Sequence, residues 1–287
     1  MSTDHQRFSI SAAHGFRLAD HDATEKPGFT KAQAIKRTDI AAESIGLSQD
    51  RMVATSTWSV LAIFQGMDTS GKDGTITRVF AGVNPAGIFV TSFKAPSSAE
   101  RAQDFMWRIH AACPPSGHIS AFNRSHYEDV LVPRIHPELL HLEHLPASLR
   151  SSDIWRHRLD DIVHFERMLT RQGTVVLKFF LNISRDEQRK RLLDRLDQPD
   201  KTWKFSPTDL TERTYWDAYQ EAYDETIAAT ATPHAPWFII PADRKWYARM
   251  TVAEIIADRL QSLDLNVPGP TTIMRKALTA ARKELKP

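Results

Sequence analysis

The sequence predicts an α/β fold in which a parallel sheet of five strands is covered on both faces by helices, a three-layer α/β/α arrangement. Three observations predict it. Apolar runs of strand length alternate along the chain with longer stretches of helical periodicity, the pattern that crossover connections turn into a parallel sheet. The run at residues 174–181 is almost continuously apolar, as strands covered on both faces are. The first run, residues 58–64, leads directly into a loop bracketed by glycines and followed by a lysine.

The chain has 287 residues, 41% of them apolar, which is enough to bury a sizeable core. Its net charge is +2, so any attraction for a polyanion must be local. One cysteine, Cys113, leaves no internal disulfide framework and suits a reducing compartment; it reads as a core or helix-end residue. The first ten residues carry no apolar signal segment, and no run approaches the length of a spanning helix. A cytoplasmic protein with no membrane partner is expected.

Residues 1–30 mix His, Asp, Thr, Pro and Gly without periodicity and read as an arm or loop, with Lys26, Lys31, Lys36 and Arg37 in or after it. Ile35, Ile40, Ile45 and Leu47 then suggest a helix across residues 32–53. After the 58–64 strand comes Gly66-Met67-Asp68-Thr69-Ser70-Gly71-Lys72-Asp73-Gly74-Thr75. Two glycines separated by four residues and followed by lysine let main-chain N–H groups cradle an anionic oxygen at the mouth of a helix. Ile76, Val79 and Phe80 supply that helix. The hydroxyl that usually follows the lysine is replaced by Asp73, and Asp68 stands inside the loop. Carboxylates beside a phosphate call for a divalent cation or additional basic groups.

Residues 87–93 read as a second strand ended by Lys94-Ala95-Pro96, and Ser97 or Ser98 caps a helix running through Phe105 and Ile109 to Pro114. A third strand at 118–122 ends in the polar cluster Asn123-Arg124-Ser125-His126-Tyr127-Glu128-Asp129, and the carboxyl ends of such strands face the ligand crevice. His136, Glu138, His141 and His144 lack zinc-site spacing, and Pro137 interrupts the helix that would align them. An amphipathic helix from Ser152 or Asp153 to Gly173 precedes the 174–181 strand. Arg185, Arg189, Lys190, Arg191 and Arg195 then lie on a helix, followed by Lys201 and Lys204. With Asp186, Glu187, Asp194 and Asp197 among them, a solvated face and a polyanion track are both open readings. Ser206-Pro207 opens a helix whose Tyr215, Trp216, Tyr219 and Tyr223 are expected mostly to pack. A last strand at 237–240 leads into a helix to Leu263 and a short basic surface helix from Thr271.

These residues suit phosphoryl transfer, which needs alignment and positive charge more than covalent help. Lys72 and the loop amides hold one phosphate, Arg124 and Arg134 are candidates to clamp another, and the basic helix can close as a lid. Asp68, Glu128 and Asp129 are the carboxylates available for magnesium, with Asp68 favoured as ligand over general base. An acceptor that is itself a phosphate oxygen needs no base.

Read together, the stretches at 66–75 and 122–131 resemble the two nucleotide-site motifs of the polyphosphate kinase 2 family. Val90-Thr91-Ser92-Phe93-Lys94-Ala95-Pro96, Lys204-Phe205-Ser206-Pro207 with Glu212-Arg213, and Pro241-Ala242-Asp243-Arg244-Lys245-Trp246-Tyr247 fit the same family, so the likeness spans about residues 15 to 263. The resemblance implies a P-loop kinase-like fold in a single domain, with residues 1–56 as N-terminal arm and helix, about 185–230 as a helical lid and 264–287 as tail. It implies transfer of phosphate between inorganic polyphosphate and AMP, ADP or ATP with Mg2+, guanine nucleotides being further candidates, in a homo-oligomer (dimer or tetramer). No nucleic-acid partner is expected.

Carried across by motif, Asp68, Lys72 and Arg124 are the catalytic candidates. Gly66, Thr69, Ser70, Gly71, Lys72, Asp73, Gly74 and Thr75 would bind phosphate, with Arg134, Arg185, Arg189 and Lys204 along the polyphosphate track. Lys94, Asn123, Arg124, Glu128 and Asp129 would bind nucleotide, and Asp68 and Asp129 the metal. Many family members carry aspartate where this chain has Asn123. Asn123 with Glu128 resembles the branch that accepts both nucleoside mono- and diphosphates. The alternative from the phosphate loop alone is an ATP-dependent kinase of a small metabolite; a binding module without turnover is disfavoured by near-neutral charge.

Overall fold

A computed structural model describes residues 3–12, 15–25, 28–200, 202–267 and 269–285, without the side chains of Thr3, Asp4 and Lys204. The core is a sheet of six strands: β1 (Ser9–Ile10), β2 (Ser59–Gln65), β3 (Ile88–Ser92), β4 (Ile119–Asn123), β5 (Thr174–Asn182) and β6 (Trp237–Pro241). Their order is β1-β6-β5-β2-β4-β3, with every pair parallel except β1 with β6. The five strands expected from sequence are all present. The sixth, β1, adds a strand to the stretch read as an arm or loop: Ser9 pairs with Phe238 and Ile10 with Trp237. Two residues are too few to show a period, but the neighbouring Phe8 and Leu18 are buried and anchor the segment.

Alternation along the strands separates two cores. Val60, Ala62 and Phe64 of β2, with Val175, Leu177, Phe179 and Leu181 of β5, face α2 (Lys31–Thr55), α3 (Lys72–Val79) and α11 (Lys245–Gln261). Leu61 and Ile63, with Val176 and Phe180, face α5 (Trp107–Ala111), α6 (Glu128–Ile135), α7 (Ile154–Arg171) and α10 (Trp216–Thr230). Lys178 occupies a place in the second set that the pattern reserves for an apolar residue, and it is fully buried.

Two expected helices are each divided. The one predicted from Ser97 to Pro114 forms α4 (Ser98–Arg101) and α5, because Asp104 accepts the Met106 amide at 2.9 Å and restarts the turn. The one opening at Ser206-Pro207 breaks at Tyr215 into α9 (Pro207–Thr214) and α10. The remaining helices are α1 (Thr3–Gln6), the basic α8 (Arg185–Asp197) and the exposed α12 (Thr272–Glu284). Cys113 is partly buried, its thiol pushed up to about 12 by burial. Among the described residues no helix is long and apolar enough to cross a membrane.

Candidate active site

The carboxyl ends of β2 and β4 are in register, Phe64 opposite Asn123, so the loops that follow them rise side by side. After β2 the backbone enters the left-handed region at Gly66 (φ 143°), where a Cβ would lie 2.7 Å from Leu181 O. No other residue fits there. The turn closes through Ser70 N–H to Met67 O at 3.1 Å, and Gly71 (φ 103°) caps α3. Lys72, the first residue of α3, folds back so that Nζ donates to Gly66 O at 2.7 Å and Met67 O at 3.2 Å. Burial, aided by the Arg124 charge, pushes its pKa down to about 8. Thr69 Oγ1 and Ser70 Oγ are buried without a hydrogen-bond partner, which is costly unless an anion takes them up.

After β4, Arg124 adopts φ 63° and its amide donates to Phe64 O at 3.0 Å. That contact ties the two loops together. Arg124 Nη2 donates to Asp68 Oδ1 at 3.0 Å, and Nη1 lies 3.7 Å from Glu128 Oε2. Asn123 Nδ2 donates to Asp73 Oδ1 at 2.6 Å, across from β4 to the first turn of α3. Glu128 is raised by burial, which outweighs Arg124 and Lys72. Asp129 is pushed up to about 6 by burial in spite of Arg108, whose Nη2 donates to both its oxygens at 3.0 and 3.2 Å.

Two cavities open here. One of about 150 Å³ is lined by Gly66, Asp68, Arg124, Glu128, Arg213 and Tyr223 among others. A second of about 170 Å³ is lined by Lys94, Arg101, Arg108 and Asp129 with apolar Pro96, Leu139 and Leu142. Arg124, Glu128 and Val132 line both, so Arg124 stands in the wall between two pockets.

The structure thus brings together the 66–75 loop, Lys94, Asn123, Arg124, Glu128 and Asp129. It does not bring Arg134 to them: that side chain pairs with Glu225 at 2.5 Å and lines neither cavity. Arg185 and Arg189 are exposed on α8, Arg185 3.9 Å from Asp217. Lys26, Lys201 and the side chain of Lys204 lie outside the described residues. The two carboxylates expected to share a metal are engaged by different arginines, Asp68 by Arg124 and Asp129 by Arg108. Among the described residues no three His, Cys, Asp or Glu side chains are grouped to hold a metal. That includes the His136 cluster, where His136 instead meets Glu138 and Glu212.

Sequence reasoning assigned no role to Gln188 or Arg108, left Arg191 in a run open to solvation or a polyanion track, and expected Tyr219 to pack. Gln188, Arg191 and Leu192 are the buried face of α8, and the apolar Leu192 was the signal that could have marked that face. Tyr219 Oη donates to Glu212 Oε2 at 2.8 Å at the cavity rim.

A family model described as polyphosphate kinase 2 matches residues 30–267. A protein of Meiothermus ruber named AMP/ADP-polyphosphate phosphotransferase is 41% identical over 273 residues, which is 94% of this chain and 98% of that protein. One of Rhodopseudomonas palustris named ADP-polyphosphate phosphotransferase is 44% identical over 238 residues, 83% of this chain and 82% of its own. The crystal structure of polyphosphate kinase 2 from Arthrobacter aurescens TC1 superposes with a TM-score of 0.84 at 38% identity, covering 95% of each chain.

Proposed function

The chain belongs to the polyphosphate kinase 2 family, and we propose that it moves the terminal phosphoryl group of inorganic polyphosphate onto AMP and ADP, in a reversible, magnesium-dependent reaction. The observation that carries this reading is Arg124, a single guanidinium lining two pockets, 3.0 Å from a carboxylate of the phosphate loop. A donor on one side and an acceptor on the other would both lie against it.

In the transfer, an oxygen of the nucleotide's terminal phosphate forms a new P–O bond as the anhydride bond to the last polyphosphate unit breaks. The polyphosphate shortens by one unit and keeps the bond's electron pair. The acceptor oxygen is already ionised near neutral pH, so no side chain has to take a proton. Lys72, the loop amides and Arg124 meet the negative charge spread over the migrating group.

Magnesium is usually held by one or two carboxylates completed by substrate phosphates and water rather than by a protein cage, and Asp68 lines the first cavity and Asp129 the second. Asp68, at the mouth of the first cavity, is the residue that would hold it; there the ion would neutralise phosphate charge. Asp129, turned into Arg108, orients that arginine toward the second pocket instead. Asn123 and Glu128 support acceptance of both mono- and diphosphates, and guanine nucleotides are included in the proposal.

The test is ATP formation from long-chain polyphosphate with AMP or ADP, run beside GMP and GDP. ATP with both adenine nucleotides is expected, and silence with every nucleotide would overturn the reading. Chelation with EDTA should abolish turnover and added Mg2+ restore it.

A further inference from the structure

We propose that Gln188 and Arg191 are positioning residues for this reaction: lying one turn apart on α8, they grip three successive carbonyls of the phosphate loop and thereby aim its amides at the phosphate. The proposal rests on residues 66–75 being that loop. Gln188 Nε2 donates to Asp68 O at 3.2 Å. Arg191 Nη1 donates to Thr69 O at 2.9 Å and to Ser70 O at 3.0 Å. In a planar trans peptide the C=O and the following N–H point in opposite directions. Three carbonyls drawn toward α8 therefore leave the amides of Thr69, Ser70 and Gly71 facing away from it. The Ser70 amide closes the turn on Met67 O, while those of Thr69 and Gly71 have no backbone partner among the described residues.

Arg191 is suited to this because all its donors are committed and none is left to touch substrate. Nε donates to Glu187 Oε1 at 2.8 Å, and Nη2 donates to Ala242 O at 2.6 Å and Asp243 O at 3.0 Å. Together with the two loop carbonyls this uses all five guanidinium N–H groups, on a side chain only 4% exposed. The Asp243 carboxylate in turn accepts from Ser184 N and Oγ at 2.8 and 2.7 Å, fixing the start of α8 to the end of β6. The loop is thus braced against the sheet. Gln188 links it to α9 as well: its Oε1 accepts from Arg213 of that helix, which also donates to Arg185 O at 3.0 Å.

The experiment compares Arg191→Lys and Gln188→Ala with wild type and with Lys72→Ala. Each is assayed with long-chain polyphosphate and Mg–ADP, and activity is expressed per folded molecule from thermal unfolding. Lysine keeps the charge but offers three donors where five are used, so kcat for Arg191→Lys should fall about 100-fold. Gln188→Ala, which leaves no buried charge behind, should fall about tenfold, the scale of one hydrogen bond. If Arg191→Lys does not fold, Gln188→Ala decides the matter. The proposal is overturned if folded variants keep kcat and both KM values within about twofold of wild type, or if losses only match the unfolded fraction. A slow Lys72→Ala beside normal clamp variants would sink the clamp alone, whereas a normal Lys72→Ala would sink the loop assignment beneath it.

Discussion

Among the described residues two lysines are withdrawn from water, and they are held in opposite ways. Lys178, 0% exposed, stands in the middle of β5 with Nζ 2.6 Å from Glu166 Oε2, 2.8 Å from Thr230 O and 3.2 Å from Tyr127 Oη. Lys72, 8% exposed, has only two main-chain carbonyls of its own loop within hydrogen-bond reach. Burial works against the Glu166 carboxylate, but the Lys178 charge, the neighbouring His126 and the hydrogen bond from Lys178 together outweigh it and hold the carboxyl below its ordinary range. That pair is closed. Burial lowers both ammonium groups, but Lys178 has the Glu166 carboxylate in direct contact to offset it whereas Lys72 has none, and the Lys72 pKa comes down to about 8. An under-compensated ammonium beside orphaned Thr69 and Ser70 hydroxyls is the arrangement that the proposed phosphate site calls for. A buried charge whose partners are complete serves the fold; one whose partners are incomplete serves a ligand.

The largest effect should come from opening the closed pair. Lys178→Met leaves Glu166 charged, fully buried and without its cation, a change that costs about 3–5 kcal/mol in comparable cases. Urea unfolding should show a loss of that size with an unchanged m-value. Stability close to wild type would mean that water or His126, whose Nε2 lies 3.5 Å from Glu166 Oε1, already compensates Glu166, and the contrast between the two lysines would fail.

Lys72→Ala should behave in the reverse sense. Removing a desolvated cation that lacks a carboxylate contact costs the fold little, and the unfolding free energy should stay within about 1 kcal/mol of wild type. Turnover should nevertheless fall about 100-fold or more, because on the proposed function a donor to the migrating phosphoryl group is gone. A variant that lost stability and kept its rate would place Lys72 with Lys178 on the structural side.

Acid–base behaviour sharpens the contrast. The Lys72 pKa is lowered from 10.5 to about 8 in the folded chain, so between those values the unfolded chain binds a proton that the native chain does not. Stability therefore gains from Lys72 as pH rises across that window, while the free enzyme loses the cation proposed to bind phosphate. kcat/KM, which reports the free enzyme, should fall about tenfold per pH unit above about 8. Lys72→Arg should carry that limb out of range. A flat profile to pH 9.5 in the wild type would show that Lys72 stays protonated and that its burial is better compensated than the structure indicates.

How much of this was legible beforehand follows from which signals are local. The loop at 66–75 and the cluster at 123–129 are contiguous words whose spacing carries their chemistry, and the five parallel strands announce themselves as apolar runs. Partners that meet only through the fold leave no such mark. Arg134 and Arg124 look alike in sequence, yet one meets Glu225 on α10 and the other Asp68 in the loop. Arg191 sits in a basic run that reads as a solvated face or a polyanion track, and only the path of α8 past the end of β6 buries it. Lys178 interrupts an apolar strand by one residue, and nothing nearby in the chain reveals that Glu166, twelve positions earlier, answers it.

The smallest effect is also the one that isolates the pair as a unit. If Lys178 and Glu166 only satisfy each other, changing both should cost far less than changing either, since the penalty in the single variant lies in the charge left behind. Lys178→Met combined with Glu166→Gln retains an acceptor for Tyr127 Oη, which donates to Glu166 Oε1 at 2.8 Å, and gives up the ammonium's bond to Thr230 O. The double variant should therefore sit about 1–2 kcal/mol below wild type, roughly the cost of one unsatisfied buried carbonyl. A coupling energy near zero in the double-mutant cycle, with two large and additive losses, would show that each side chain answers to other groups. Tyr127 precedes Glu128 at the start of α6, so kcat in the folded double variant also reports whether the closed pair behind the sheet end holds Arg124 and Glu128 in place or merely fills the space beneath them.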